Sequence, residues 1–369
     1  MTRVIPLLLA SLACAALDAQ AADRLPIFAG RMHVYVLVEV DGTVKTWGSP
    51  HDAEGPYLGD GTDGYVDERK EPTPLPGVHD IVDAAVGTQH VLLLARDGMV
   101  YAWGRNNACE VGTGDGNSRK SPVPVAGLGN VRQIAAAEGI SGAVLNDGTV
   151  SMWGSGQNGL LANGAIGWRT ECAKHPVKVD GLSGVKKIAL DGVNVIALRE
   201  DGTVWGWGKN GGALGDGSSE PRAHPVQMQG ITNAVDIALN GDAAIVLADG
   251  TVRMTGAPPR TTPFKMADVA NAVSVRRTTQ TTIVRLSDGT LLGWGNGYFG
   301  VLGDGHGDRE VSKPHPPTGL GPVLAHYLMD SENFAIRADG TVMAWGIYGG
   351  DKGGWIKKPI QYIKVRLSE

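Results

Sequence analysis

Apolar residues along this chain come in short runs, and the runs recur in one order. A small-residue segment such as "IVDAAVG" from Ile81 is followed by a second run, "HVLLLARDG" from His90. An Asp-Gly pair ends that run, and a third segment such as "MVYAWG" from Met99 comes next. A long Gly-rich stretch then leads to a fourth segment near a proline, "SPVPV", "HPVKV" or "HPVQM". Each run has the length of a strand, and Asp-Gly supplies the positive φ angles of a tight hairpin turn. Aligned on Asp-Gly, the unit occurs at Asp41, Asp97, Asp147, Asp201, Asp249, Asp288 and Asp339, with spacings of 56, 50, 54, 48, 39 and 51 residues. Evenly spaced short strands with turn punctuation predict an all-β protein. Four strands per unit and seven units predict a seven-bladed β-propeller of four-stranded antiparallel blades.

Six units carry a tryptophan six places after the Asp: Trp47, Trp103, Trp153, Trp207, Trp294 and Trp345. The fifth has Thr255 there and also lacks the Gly-rich stretch. Side chains alternate along a strand, so this tryptophan and the valine three places earlier leave opposite faces. A blade buries both faces between its neighbours. The tryptophans are therefore expected as wedges between blades, and the fifth unit predicts a low gap in the rim. Alanines in the first segment (Ala84, Ala135, Ala189, Ala238) suit the narrow inner edge.

Composition changes this picture little. The chain has 369 residues, 54 of them Gly, and a net charge of −5. The glycines follow no three-residue period, which excludes collagen and leaves many tight turns. The first 21 residues differ from the rest: Arg3, an apolar run from Val4 to Leu17, and Ala19-Gln20-Ala21 have the layout of a bacterial-style secretory signal peptide. A periplasmic or secreted protein with residues 22–369 forming one propeller is the expectation. No later run is long enough to span a membrane. An acidic exported chain is a poor nucleic-acid binder. Two cysteines remain after residue 21, Cys109 and Cys172. In an oxidising compartment they form either a disulfide or two unpaired thiols.

The stretches after the tryptophan share a frame: "WGRNNACEVGTGDG" from Trp103, "WGKNGGALGDG" from Trp207 and "WGNGYFGVLGDG" from Trp294. This resembles the repeat of the regulator of chromosome condensation family, over residues from about 27 to the end. The resemblance implies a seven-bladed propeller, with "KKPIQYIKV" near the C-terminus as the outer segment of blade 7, meeting blade 1 to close the ring. The founding member's nucleotide exchange on a nuclear GTPase is not expected of an exported chain. A secreted bacterial member that inhibits class A β-lactamases fits the compartment better. "GWRTE" from Gly167 echoes a photoreceptor motif of the family, but in the wrong turn.

The turns joining first and second segments lie at the same end as the Gly-rich stretches. That end carries the variable loops, so it is the expected recognition face. Its candidates for contact with a partner protein are Arg31, His33, Gln89, His90, Glu138, Asp191, Asn194, Asp242, Arg276, Arg277, Asp330 and Glu332, with Tyr57, Trp168 and Tyr298 from the later loops. For His33 and His90 a hydrogen bond to a neighbouring blade is the plainer reading. No nucleophile elbow, zinc motif or phosphate loop occurs. "GDGTDGYVDE" near Asp60 misses the EF-hand spacing. No metal and no cofactor is expected, and Asp304, His306, Asp308 and Glu310 read as a turn. The reading is a monomeric, non-enzymatic scaffold. Its rival is a glycan-cleaving enzyme using Asp191, Asp242, Asp330 or Glu332, since such chemistry needs two carboxylates at fixed separation.

Overall fold

The computed structural model describes residues 25–31, 34–48, 58–62, 69–167, 171–329, 331–347 and 355–367. The segment expected as a signal peptide lies outside them. Among the described residues, twenty-eight strands form seven four-stranded antiparallel sheets. The blades span residues 27–74, 81–124, 131–178, 185–227, 234–265, 272–315 and 325–364. In blade 2 the strands are Ile81–Val86, His90–Ala95, Val100–Gly104 and Arg119–Pro124, in chain order from the axis outward.

The Asp-Gly pairs build the turns at one end. In blade 1, Glu39 N donates to Thr43 O and Gly42 N to Glu39 O, both at 2.9 Å. The glycine of every pair is left-handed, with φ between 76° and 85°, which spares it the steric cost of a Cβ. The Asp41 carboxylate accepts from Thr43 N (3.0 Å) and Thr43 Oγ1 (2.7 Å), closing the turn from the side. Those bonds hold its pKa below the ordinary carboxylate value.

The core lies between blades. Trp103, Trp153, Trp207 and Trp345 are completely buried and Trp47 nearly so, each against the preceding blade. Trp207, for example, packs with Val150 and Leu161 of blade 3. An indole removes about 200 Å² of apolar surface from water, worth roughly 5 kcal/mol as an upper value. The ring closes by packing rather than by strand exchange. Phe28 of blade 1 stacks on Phe334 of blade 7 with centroids 5.1 Å apart, and Tyr327 Oη donates to Pro26 O at 2.8 Å. Val365 and Tyr362 of the C-terminal segment join the same cluster.

Candidate functional site

The loops after Trp47, Trp103, Trp153, Trp207 and Trp294 reach forward and lock onto the next blade. Trp153 Nε1 donates to Glu110 O, Trp207 Nε1 to Leu160 O and Trp345 Nε1 to Val301 O, all at 2.9 Å. Each acceptor sits at the same place in the preceding blade's loop. A later glycine of that loop also donates to the next blade, at its outer strand or just before it: Gly114 N to Lys174 O and Gly217 N to Thr261 O at 3.0 Å, Gly305 N to Lys357 O at 2.8 Å. The aspartate beside that glycine pairs with an arginine at the start of its own outer strand, as Asp115 with Arg119 (2.8 Å), Asp216 with Arg222 (2.6 Å), Asp304 with Arg309 (2.8 Å) and Asp60 with Arg69. Asp60 and Asp304 are thus turn closures. Among the described residues no three His, Cys, Asp or Glu side chains gather to hold a metal.

Cys109 and Cys172 are joined by a disulfide, with Cα atoms 5.8 Å apart. It ties the loop of blade 2 to that of blade 3. Asn106 stiffens the blade 2 loop further, donating to Asp115 O (2.9 Å) and accepting from Val111 N (2.9 Å). Asn210 does the same in blade 4, donating to Glu220 O (2.9 Å) and accepting from Gly212 N (3.0 Å).

The structure corrects part of the expected rim. His90, Asn194 and Glu332 are buried, and the Arg277 side chain is only 7% exposed. The first three stand opposite the glycine that follows the tryptophan, Gly104, Gly208 and Gly346. A Cβ on Gly104 would lie 2.4 Å from Gln89 O, so the chain can make this approach only as glycine. His90 Nε2 lies 2.8 Å from Ser141 Oγ of blade 3, which itself donates to Glu110 O. Burial pushes the His90 pKa down to about 3, so the ring is neutral and bonds a neighbouring blade. Glu138 and Tyr298 are exposed; Arg31, Gln89, Asp191, Asp242 and Arg276 are half-buried. Gln89 accepts from Arg105 at 2.8 Å, and Asp242 pairs with Arg277 at 3.2 Å. Asp191 accepts from Asn194 N and from Gly241 N of blade 5, both at 2.8 Å. His33, Tyr57, Trp168 and Asp330 lie outside the described residues.

Around the axis runs a feature the sequence reading missed. A bulge interrupts the inner strands just before Asp83, Gln133, Lys187 and Asp236. Each of these side chains bonds the backbone of the next blade. Asp83 accepts from Ile134, Gln133 from Ile188 N (3.0 Å), and Asp236 from Val275 N (2.9 Å), while Lys187 donates to Ile237 O (2.9 Å) and pairs with Asp236 (2.5 Å). A free sheet edge has unpaired N–H and C=O groups, and this belt satisfies them across four junctions. It borders a central cavity of about 640 Å³. Burial pushes the Asp83 pKa up to about 6. Burial opposes ionisation of Asp236 too, but Lys187 and Arg276 outweigh it and hold the pKa below the ordinary value.

Known proteins share this frame. The model described as regulator of chromosome condensation (RCC1) repeat matches residues 97–144 and 201–247, and a second model of that description matches residues 81–108. Those stretches are repeats of this family, and the chain is RCC1-like. It is 29% identical over 354 residues to the ultraviolet-B receptor UVR8 of Arabidopsis thaliana, covering 87% of this chain and 76% of the receptor. It is 26% identical over 347 residues to the mouse regulator of chromosome condensation, covering 81% of each. The crystal structure of human WBSCR16 aligns with a TM-score of 0.75 at 19% identity, over 86% of this chain and 93% of that one. Yeast Prp20p, in a structure reported with its binding properties to Gsp1p and histones, aligns at 0.72 and 19%, over 98% and 90%. At such identity the two structures speak for the fold.

The RCC1-type frame explains which residues were missed and how they could be found. Asp83, Gln133, Lys187 and Asp236 each stand two places after a core residue, Ile81, Val131, Val185 and Ala234, in phase with the repeat. A polar residue recurring at a core-flanking slot is a readable signal.

Proposed function

We propose that this propeller is an exported scaffold that holds a partner protein against its loop-bearing end. One observation carries the reading: the two ends are built to opposite plans. The Asp-Gly end repeats one closed turn seven times. The other end presents loops that differ in sequence yet are pinned by forward latches, buried Asn amides and a disulfide. A pre-organised, variable surface loses little freedom on binding, which favours specific protein recognition. The Cys109–Cys172 disulfide supports export, since such bonds persist in oxidising compartments. The glycan-cleaving alternative loses ground because Asp191 caps a turn and bonds blade 5 while Asp242 pairs with Arg277.

Cross-linking the full chain in an envelope or medium fraction tests the reading. A partner is expected with the natural chain, lost with Glu138→Arg at the loop-bearing end and kept with Thr149→Lys at the Asp-Gly end. Recovery of no partner, or equal recovery with both variants, overturns it. β-Lactamase inhibition is one specific form of this function, checked by nitrocefin hydrolysis at micromolar protein.

A further inference from the structure

Blade 6 departs from its relatives at one turn of the loop-bearing end. Blade 2 turns left-handed at Cys109 (φ 65°), and blades 3 and 4 do so already one place earlier in the forward loop, at Asn158 (φ 58°) and Gly211 (φ 70°). Blade 6 has Phe299 there, at φ 62°. Bulky side chains avoid this region, where glycine and asparagine are the usual occupants. Core packing does not account for the exception, because Phe299 is 40% exposed. Its neighbour Tyr298 is 49% exposed, and Trp355, 44% exposed, meets the Phe299 ring edge-on with centroids 5.3 Å apart. Three exposed aromatic rings therefore crowd one spot, held there against a backbone preference. Backbone outliers of this kind gather at ligand sites.

Tyr298 and Phe299 border a cleft of about 220 Å³ between blades 6 and 7, lined also by Thr278, Gln280, Asn296 and Ser331 among others. No Asp, Glu, Lys, Arg or His lines it among the described residues. The Asn296 amide is spent inside the wall: its Oδ1 accepts from Tyr298 N at 2.7 Å and its Nδ2 donates to Gln280 Oε1. Gln280 Nε2, Ser331 Oγ and Tyr298 Oη remain without a partner among the described residues. They offer donors and acceptors of no charge.

We infer that this cleft binds one pyranose ring of a neutral saccharide. A pyranose has a C–H face that lies against an aromatic ring and an edge of hydroxyls that both donate and accept. Tyr298 and Phe299 supply the first surface, and Gln280, Ser331 and the tyrosine hydroxyl the second. The size of the cleft suits a single ring rather than a drug-sized ligand. Among the described residues a charged ligand meets no counter-charge there. An apolar protein anchor would bury the amide and hydroxyls unpaired, at a cost it could not recover. The site stands apart from the partner-protein reading, which survives if the cleft proves empty.

The full chain is titrated with cellotetraose, maltotetraose and tetra-N-acetylchitotetraose, followed by calorimetry and tryptophan fluorescence. Saturable binding of at least one is expected below about 10 mM, weakened about tenfold by Tyr298→Ala and by Gln280→Ala with Tm unchanged. Phe299→Gly is expected to raise Tm, by relieving the backbone, while weakening binding. Tetragalacturonate, which carries carboxylates, is expected not to bind. The inference is overturned if no neutral oligosaccharide binds, if the variants bind as the natural chain does, or if tetragalacturonate binds equally. It is also overturned if Phe299→Gly lowers Tm, or if Tyr298→Ala abolishes protein cross-linking with no saccharide response.

Discussion

The junction between blades 3 and 4 and the junction between blades 5 and 6 bury the same residue type in the same slot, by different means. At the first, Trp207 is completely buried and its Nε1 donates to Leu160 O in the blade 3 loop. Gly164 N adds a bond to Ala223 O of the outer strand, at 3.3 Å. At the second, blade 5 connects its last strands through residues 255–263 only, where blade 4 uses 209–221. No loop reaches forward, so Trp294 has no carbonyl acceptor among the described residues and is 6% exposed. The rim gap expected beside blade 5 is this opening. The axial belt bond is shared by both junctions, as Gln133 with Ile188 N and Asp236 with Val275 N, and the second adds Arg277, which pairs with Asp242 and donates to Asn240 O at 3.2 Å. The tryptophan wedge and the forward latch are thus separable parts of the repeat.

Separating them in solution is a matter of paired substitutions. Trp207→Ala is expected to cost about 3–5 kcal/mol, the usual loss for a buried aromatic. Trp294→Ala should cost about 1 kcal/mol less, since no indole hydrogen bond is lost there. Urea unfolding of both variants measures the difference, and equal losses would show that the latch bond adds nothing.

Acid should act first on the latched side. His90, at the junction of blades 2 and 3, has its pKa pushed down to about 3 by burial. The unfolded chain therefore binds a proton in the window from about 6.5 to about 3 that the folded chain refuses, and stability falls as pH falls through it. At pH 5 the loss from His90 is about 2 kcal/mol, and His90→Gln should flatten that slope. Asp83 runs the other way: raised to about 6 by burial, it removes stability as pH rises from about 4 to about 6. Urea midpoints across pH 4–8 separate the two. An unchanged slope in His90→Gln would mean that the histidine is not what acid attacks.

The smallest effect concerns the entry side of blade 5, where the latch survives without its tryptophan. Thr255 Oγ1 donates to Ala213 O at 2.9 Å, the same loop position that receives an indole elsewhere, and accepts from Ala243 N at 2.8 Å. Thr255→Val keeps the shape and leaves both buried groups unpaired, for an expected loss of about 1–2 kcal/mol by urea unfolding. A variant as stable as the natural chain would show that the hydroxyl does not stand in for the indole.

Much of this architecture is legible along the chain because it rests on local chemistry. Asp41-Gly42 and its six counterparts predict their turns outright, since φ near 80° is open to glycine at little cost. The tryptophans announce the blade faces through strand alternation. The site was harder to read, because exposure there depends on what a neighbouring blade lays across it. His90 and Glu138 were both read as first-turn residues, yet His90 is buried with its ring against Ser141 of the next blade and Glu138 is left in solvent. Thr255 looked like a loss, and only its distance to Ala213 O reveals a substitution in kind. Phe299 would have been found by asking which residue breaks its own column, against Asn158 and Gly211.

The forward latch also bears on how such a ring can be made. A typical repeat carries a plug, its indole, and a socket, the loop carbonyl that receives the next plug. Copies made by duplication would therefore join head to tail without any new surface having to be invented. Blade 5 keeps a plug in Thr255 and has given up its socket, so it can follow any repeat but offers the next one no such hold. Among the described residues this seam has no indole latch for an insertion or a break in the chain to disturb.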